Sequence, residues 1–342
     1  MNVTLPKRGA RASAFVFACA LAACAADRVD LSPRANRSAP AAIFYTAIGA
    51  SDAVGYNASV PCANPPSVAV PTCPGGTGYV PDLAKQLRGG GASVTLNDLG
   101  ISSAVIGPDI AATGNLYGSQ GSAAPCLPRT GSDVIPGDFL TNELPKLSGS
   151  ETLVTIFAGG NDTNAIVNAN AAACLQRSGA AGPAVQQFLA TEIQAFGADF
   201  TTLVQGVRAK APGARIVVAN LPNFAGIPFA QSASVAPAKP LLQAVSVGID
   251  TNVYQPAATR LGIPVVDLLC DPQSYATASF FPGPLADGFH PNDAGYAALA
   301  ASFFAQIGAA TPVLPQTTCS QMSVASAALA PQIPPLPNPG QR

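Results

Sequence analysis

The sequence predicts a doubly wound α/β protein, a three-layer α/β/α sandwich built on about five parallel strands. Two observations predict it. Short apolar runs rich in β-branched residues alternate with helical patterns, and parallel strands joined by right-handed helical crossovers are the arrangement that buries such runs. Clusters of Gly, Asn and Asp follow the runs, at the carboxyl ends where open α/β sheets gather their reactive groups.

In chain order, residues 1–24 read as an export signal, with Lys7, Arg8 and Arg11 ahead of an apolar stretch from Ala12 to Ala23. That stretch is too short to cross a bilayer, which takes about 20 apolar residues. It ends in Leu21-Ala22-Ala23-Cys24, similar to a bacterial lipobox, in which cleavage leaves Cys24 as a diacylated N-terminus and membrane anchor. Ordinary cleavage between Ala22 and Ala26 is the alternative. Residues 25–40, polar and Pro-containing, read as a tether to a domain over 41–311.

Within that domain Ala42–Ile48 is an apolar run ending in Gly49, and Ser93–Asn97, Thr152–Phe157, Arg215–Ala219 and Ile263–Leu268 repeat the pattern. Between them Tyr79–Leu87, Pro183–Lys210, Pro240–Leu261 and Asp293–Ile307 carry helical periodicity. Two insertions, Val60–Gly78 and Ser102–Glu151, are Gly/Pro-rich and poorly periodic, and their cysteines argue that they are ordered. Residues 312–342 form a Pro-rich C-terminal extension whose last dozen residues read as an extended, solvated tail.

The composition narrows the function. Seventeen basic residues against eighteen acidic give a net charge of -1 in 342 residues, without a basic stripe, so nucleic acid is not an expected partner; a monomer is expected. Beyond Cys19 and Cys24 stand Cys62, Cys73, Cys126, Cys174, Cys270 and Cys319, an even set in a chain bound for an oxidising compartment. Disulfides are expected, with sequential pairing favoured although the sequence does not choose. With one histidine and no C-x-x-C pair, neither a metal site nor a cofactor is expected.

Four clusters carry the chemistry. Gly49-Ala50-Ser51-Asp52 follows the first strand, Asn97-Asp98-Leu99-Gly100 the second and Gly159-Gly160-Asn161-Asp162 the third, while Asp287-Gly288-Phe289-His290-Pro291-Asn292 precedes the last helix. Singly, each has a dull explanation as a cap or a turn. Together they supply, in order, a nucleophile, two oxyanion donors, and a base with its orienting carboxylate.

This order resembles the signature blocks of the SGNH (GDSL-type) hydrolases, in which Ser, Gly, Asn and His follow one another; here they are Ser51, Gly100, Asn161 and His290. The resemblance runs from about Ala42 to Ile307 and implies a flavodoxin-like sheet and ester hydrolysis. One departure is visible, because the usual Gly-Asp-Ser is Gly49-Ala50-Ser51 here, with Asp52 following; since the missing aspartate is not the triad acid, activity is expected to survive, with the hydrogen bonding of the turn altered. A serine hydroxyl needs a neighbouring base to become a nucleophile, and His290 is the one imidazole in the chain. Asp287 is expected to fix its tautomer, and the amides of Ser51 and Gly100 with the Asn161 side chain to receive the oxyanion. The expected partner is an ester substrate, with acyl or lipid esters favoured by the apolar neighbours Val54, Leu99, Ile101 and Phe289. A carbohydrate deacetylase and a non-catalytic binding module on the same scaffold are the alternatives.

Overall fold

In the computed structural model, residues 41–62, 73, 75–111, 135–169 and 183–323 are described. Cys24, Cys126, Cys174, the export signal and the tether lie outside them. Five parallel strands form one sheet in the order β2-β1-β3-β4-β5, with β1 at Ala42–Gly49, β2 at Ser93–Asp98, β3 at Leu153–Phe157, β4 at Arg215–Ala219 and β5 at Val265–Val266. All four neighbouring pairs run parallel, Ala47 standing opposite Asp98 on one side and Thr155 on the other.

Alternation along the strands fills two cores, because successive side chains leave opposite faces of a sheet. Ile48, Val154, Ile156, Ile216 and Val218 join one cluster, whereas Tyr45, Ala47, Leu153, Val217 and Ala219 join the other. Helices α1 (Tyr79–Gly89) and α6 (Asp293–Gly308) cover the second face, where Tyr79 stacks on Phe303 with ring centroids 5.2 Å apart. The first face is covered by α2 (Gly160–Ala169), α3 (Pro183–Lys210), α4 (Lys239–Ile249) and α5 (Gln255–Leu261), with Phe196, Phe200 and Tyr254 at its centre.

Helix α2 is not among the expected elements, and two expected ones take a different form. The helical pattern over Pro240–Leu261 is divided by a π-helical turn at Asp250–Tyr254. Pro256 brings no amide to the helical ladder, and the buried Asp250 accepts the Leu221 amide at 3.0 Å, so the helix gives way between them. The run Ile263–Leu268 yields a strand of only two residues, Val265–Val266. On the outer side of β5 the Val265 amide donates to Val313, and Gln316 donates to Asp267 Oδ2 at 2.8 Å. The segment after α6 thus lies along that sheet edge, and Cys270–Cys319 fastens it there. Cys62–Cys73 is the second disulfide among the described residues. Among the described residues no helix is long and apolar enough to cross a membrane.

Candidate active site

Ser51 stands two residues beyond the end of β1, where the chain leaves the sheet in a series of tight turns closed by Ala53 N–H to Ala50 O, Gly55 N–H to Asp52 O and Tyr56 N–H to Ser51 O. Two glycines let this turn sit close to its neighbours. A Cβ on Gly49 would stand 2.9 Å from the Ala53 Cβ, and one on Gly100 would stand 2.7 Å from the same atom.

His290 arrives from the loop before α6, a helix capped by Asn292, whose side chain accepts the Gly295 amide at 3.0 Å. The Ser51 hydroxyl meets His290 Nε2 at 2.9 Å, across 239 positions of sequence. On the other side of the ring, His290 Nδ1 lies 2.6 Å from Asp287 Oδ2. Asp287 is held in turn by the amides of Phe289 and His290, both 2.9 Å from its Oδ1. Burial by itself would raise the Asp287 carboxyl, but the hydrogen bond and charge attraction of His290, with those two amides, outweigh it and hold the group below the ordinary aspartate range. The imidazole is gripped edge-on by two aromatic rings, Tyr56 at 4.7 Å and Phe289 at 5.0 Å between centroids.

Asn161, at the start of α2, donates from Nδ2 to the Ala104 carbonyl at 2.9 Å and lines the same cavity as Ser51. An amide nitrogen has two protons, so one is left after this bond. The next residue, Asp162, is fully buried and accepts the Ile106 amide at 2.9 Å. The pair Asn161-Asp162 therefore fixes residues 104–106 against the helix start. Burial pushes Asp162 up to about 7.

The Gly100 amide already has a partner in the protein. Its N–H donates to Asp98 Oδ1 at 3.0 Å, and Ala104, not Gly100, is among the residues that line the cavity. Its amide is committed to a carboxylate two residues back, and the need for glycine comes from the close approach of Ala53. Asp98 is itself buried and pushed up to about 7.

Sequence reasoning missed several groups around the site. Asn57, with a left-handed backbone (φ 71), ties the nucleophile turn to the histidine loop through the His290 carbonyl. Asp52 faces Tyr296, whose hydroxyl lies 3.4 Å from its Oδ1 and donates to the Tyr56 carbonyl at 2.7 Å; burial raises Asp52 above the ordinary range against the lowering by His290. Glu143, in the insertion, accepts the Gly49 amide. Positive φ at a non-glycine residue cannot be read from sequence, and Asn57 and Glu143 fall in no recognisable motif; Asp52 stands in the nucleophile cluster, but its pairing with Tyr296 does not show there.

The cavity beside Ser51 has an open volume of about 900 Å³, its solvent-facing mouth included. Phe157, Leu221, Phe224, Ile227, Phe280 and Phe289 contribute apolar lining, and Ser51, Asp52, Asn161, Asp271 and Gln273 are among its polar residues. Among the described residues no group of three His, Cys, Asp or Glu side chains is arranged to hold a metal ion.

Among solved structures, the chain is similar to the extracellular lipase of Streptomyces rimosus, at 17% identity over 77% of this chain and 99% of that one, with a TM-score of 0.47. It is also similar to phospholipase A1 of Streptomyces albidoflavus, at 18% identity over 79% and 100% of the two chains, with a TM-score of 0.42. A family two carbohydrate esterase of Clostridium thermocellum aligns at 15% identity over 78% of this chain and 64% of that one, with a TM-score of 0.37. No curated protein matches the chain. The model of the GDSL-like lipase/acylhydrolase family matches residues 47–298, well over half of the 342, and the chain belongs to that family.

Proposed function

We propose that this protein is a serine esterase that cleaves carboxylic esters, acyl or lipid esters in particular, through an acyl-enzyme on Ser51. The observation that carries this reading is the continuous line of hydrogen bonds from Ser51 Oγ through both ring nitrogens of His290 to Asp287, at 2.9 and 2.6 Å. His290 Nδ1–H donates to the ionised Asp287, which leaves Nε2 as the acceptor facing the serine hydroxyl. As Ser51 Oγ attacks the ester carbonyl carbon, its proton passes to Nε2 and the carbonyl oxygen becomes an oxyanion. The Ser51 amide and the second Nδ2 proton of Asn161 receive that charge. The tetrahedral species collapses when His290 returns the proton to the leaving alcohol. Water, deprotonated by the same ring, then releases the acid and regenerates Ser51.

The apolar wall supports an acyl chain as the group that fills the cavity, at a contribution of about 0.8 kcal/mol per buried methylene. The disulfides and the signal-like start support export, and the lipobox supports a diacyl anchor at Cys24 on the cell envelope, reaching the domain through residues 25–40. No nucleic acid enters this reading, and a monomer suffices for it.

Labelling with a fluorophosphonate probe tests it. The wild-type protein is expected to react at Ser51, and Ser51→Ala and His290→Ala to remain unlabelled. A folded wild-type protein that takes no label would leave a binding module. Labelled protein that cleaves acetylated sugars but not nitrophenyl esters of longer acids would assign a deacetylase.

A further inference from the structure

We infer that Glu143 is a positioning residue for the nucleophile: from the insertion between β2 and β3 its carboxyl group holds the Gly49 amide, two residues ahead of Ser51, in a turn that lacks the usual aspartate. The inference rests on the reading of Ser51 as nucleophile. The register of β1 and β2 ends with Ala47 opposite Asp98, and the Ala47 carbonyl still accepts the Leu99 amide. The Gly49 carbonyl is met by the Ile101 amide at 3.1 Å, and the Gly49 amide, left without a strand partner on that side, is met by Glu143 Oε2 at 3.0 Å. A buried backbone amide must find an acceptor, and at this position a side chain provides it.

A carboxyl group is an expensive way to fill this place. Glu143 is 0% exposed, its Oε1 has no partner among the described residues, and the nearby Asp98 opposes its ionisation. An apolar side chain would pack there at less cost. What the carboxyl adds is the bond to Gly49. Burial raises Glu143 well above the ordinary glutamate range, and its Oε2 accepts the Gly49 amide whether or not the group carries a proton on Oε1.

The carrier of Glu143 is tied to the oxyanion side of the cavity. Glu143 ends a π-helical turn, Phe139–Glu143, whose start is capped by Asp138. Phe139 is fully buried, its amide donates to Val105 and that of Leu140 to Ile106, at 3.0 and 3.3 Å. Residues 104–106 are the ones that Asn161 and Asp162 hold. One short turn of the insertion thus spaces Ser51 against Asn161.

The test compares Glu143→Gln, Glu143→Asp and Glu143→Leu in the full chain. Glutamine keeps an acceptor oxygen at the same reach; aspartate is one methylene short, and leucine has no acceptor. With nitrophenyl butyrate, Glu143→Gln is expected to keep kcat within about threefold. The other two should lose about 10- to 100-fold in kcat with KM within about twofold, the cost of misplacing a reacting group by about an ångström. Fluorophosphonate labelling of Ser51 should slow by the same factor. Folded Glu143→Asp or Glu143→Leu protein with wild-type kcat overturns the inference, as does Glu143→Gln losing as much as Glu143→Leu. Should leucine prevent folding, the contrast between aspartate and glutamine decides alone. If the wild-type protein neither labels nor hydrolyses esters, the esterase reading fails by itself. The Gly49 amide resonance then reports on Glu143, moving in Glu143→Asp and staying near its place in Glu143→Gln, and an unmoved Gly49 signal in Glu143→Asp rejects the inference.

Discussion

Asn57 clamps the backbone of His290: its Nδ2 donates to the His290 carbonyl at 2.9 Å, while its Oδ1 accepts the amides of Leu285 at 2.7 Å and Ala286 at 3.3 Å. The nucleophile turn and the base loop, at opposite ends of the domain sequence, are therefore one hydrogen-bonded unit. Asn57→Ala strands these partners and places alanine at a φ that favours Asn or Gly. It should cost about 1 to 3 kcal/mol in thermal or denaturant unfolding. The turnover number should fall at least about tenfold, because the ring of His290 loses its anchorage.

Among the reacting groups, the losses should be graded. Ser51→Ala or His290→Ala is expected to cost about 10⁶ in kcat, and Asn161→Ala about 10² to 10³. Gly100→Ala should behave differently from Asn161→Ala, because its methyl group meets the Ala53 Cβ at 2.7 Å. It should lower the unfolding temperature together with the rate, whereas Asn161→Ala should mainly lower the rate. Kinetics and melting curves on the same preparations check this.

Stability should fall as pH rises from about 4 to 7. Asp98 and Asp162 have folded values of about 7 against an ordinary 3.8. Between those values the unfolded chain releases protons that the folded chain keeps, so raising the pH favours unfolding until it passes about 7. Asp98→Asn and Asp162→Asn keep an acceptor for the amides of Gly100 and Ile106 and remove the titration. Each should gain on the wild type by roughly 2 to 4 kcal/mol between pH 4 and pH 8 in denaturant titrations. Asp287 has the opposite sign: its lowered value adds stability above the ordinary aspartate range, which is lost as pH falls through the folded value.

The acyl side of the cavity should respond to bulk. Ile227→Trp places an indole against Phe224 and Phe289 in the apolar wall. The ratio of kcat/KM for nitrophenyl octanoate to that for nitrophenyl acetate should drop by about tenfold or more. An unchanged ratio in a folded variant would show that the acyl chain lies elsewhere.

The sheet and the line Ser51–His290–Asp287 were legible because each rests on local pattern: apolar runs for the strands, and Gly, Asp and His strings at their ends. The role of Gly100 is harder to read, for a physical reason. A glycine after a strand looks the same whether its amide faces a ligand or the carboxylate of Asp98. Glu143 and Asn57 escaped because their partners lie 94 and 233 positions away, and nothing in their neighbours marks them. Around Glu143 no helical period shows, since the amides of Phe139 and Leu140 go to residues 105 and 106 and those of Asp138 and Thr141 to side chains.

The strip of chain running past β5 has a bearing on how this protein lives among others. An exposed strand offers its bare amides and carbonyls to any neighbour able to add itself on, the usual start of fibrous clumping. Here the molecule occupies that row with its own Val313 and bolts the strip down at Cys319. Cutting the chain after residue 311 should therefore yield protein that clumps sooner on warming, even with its catalytic groups untouched.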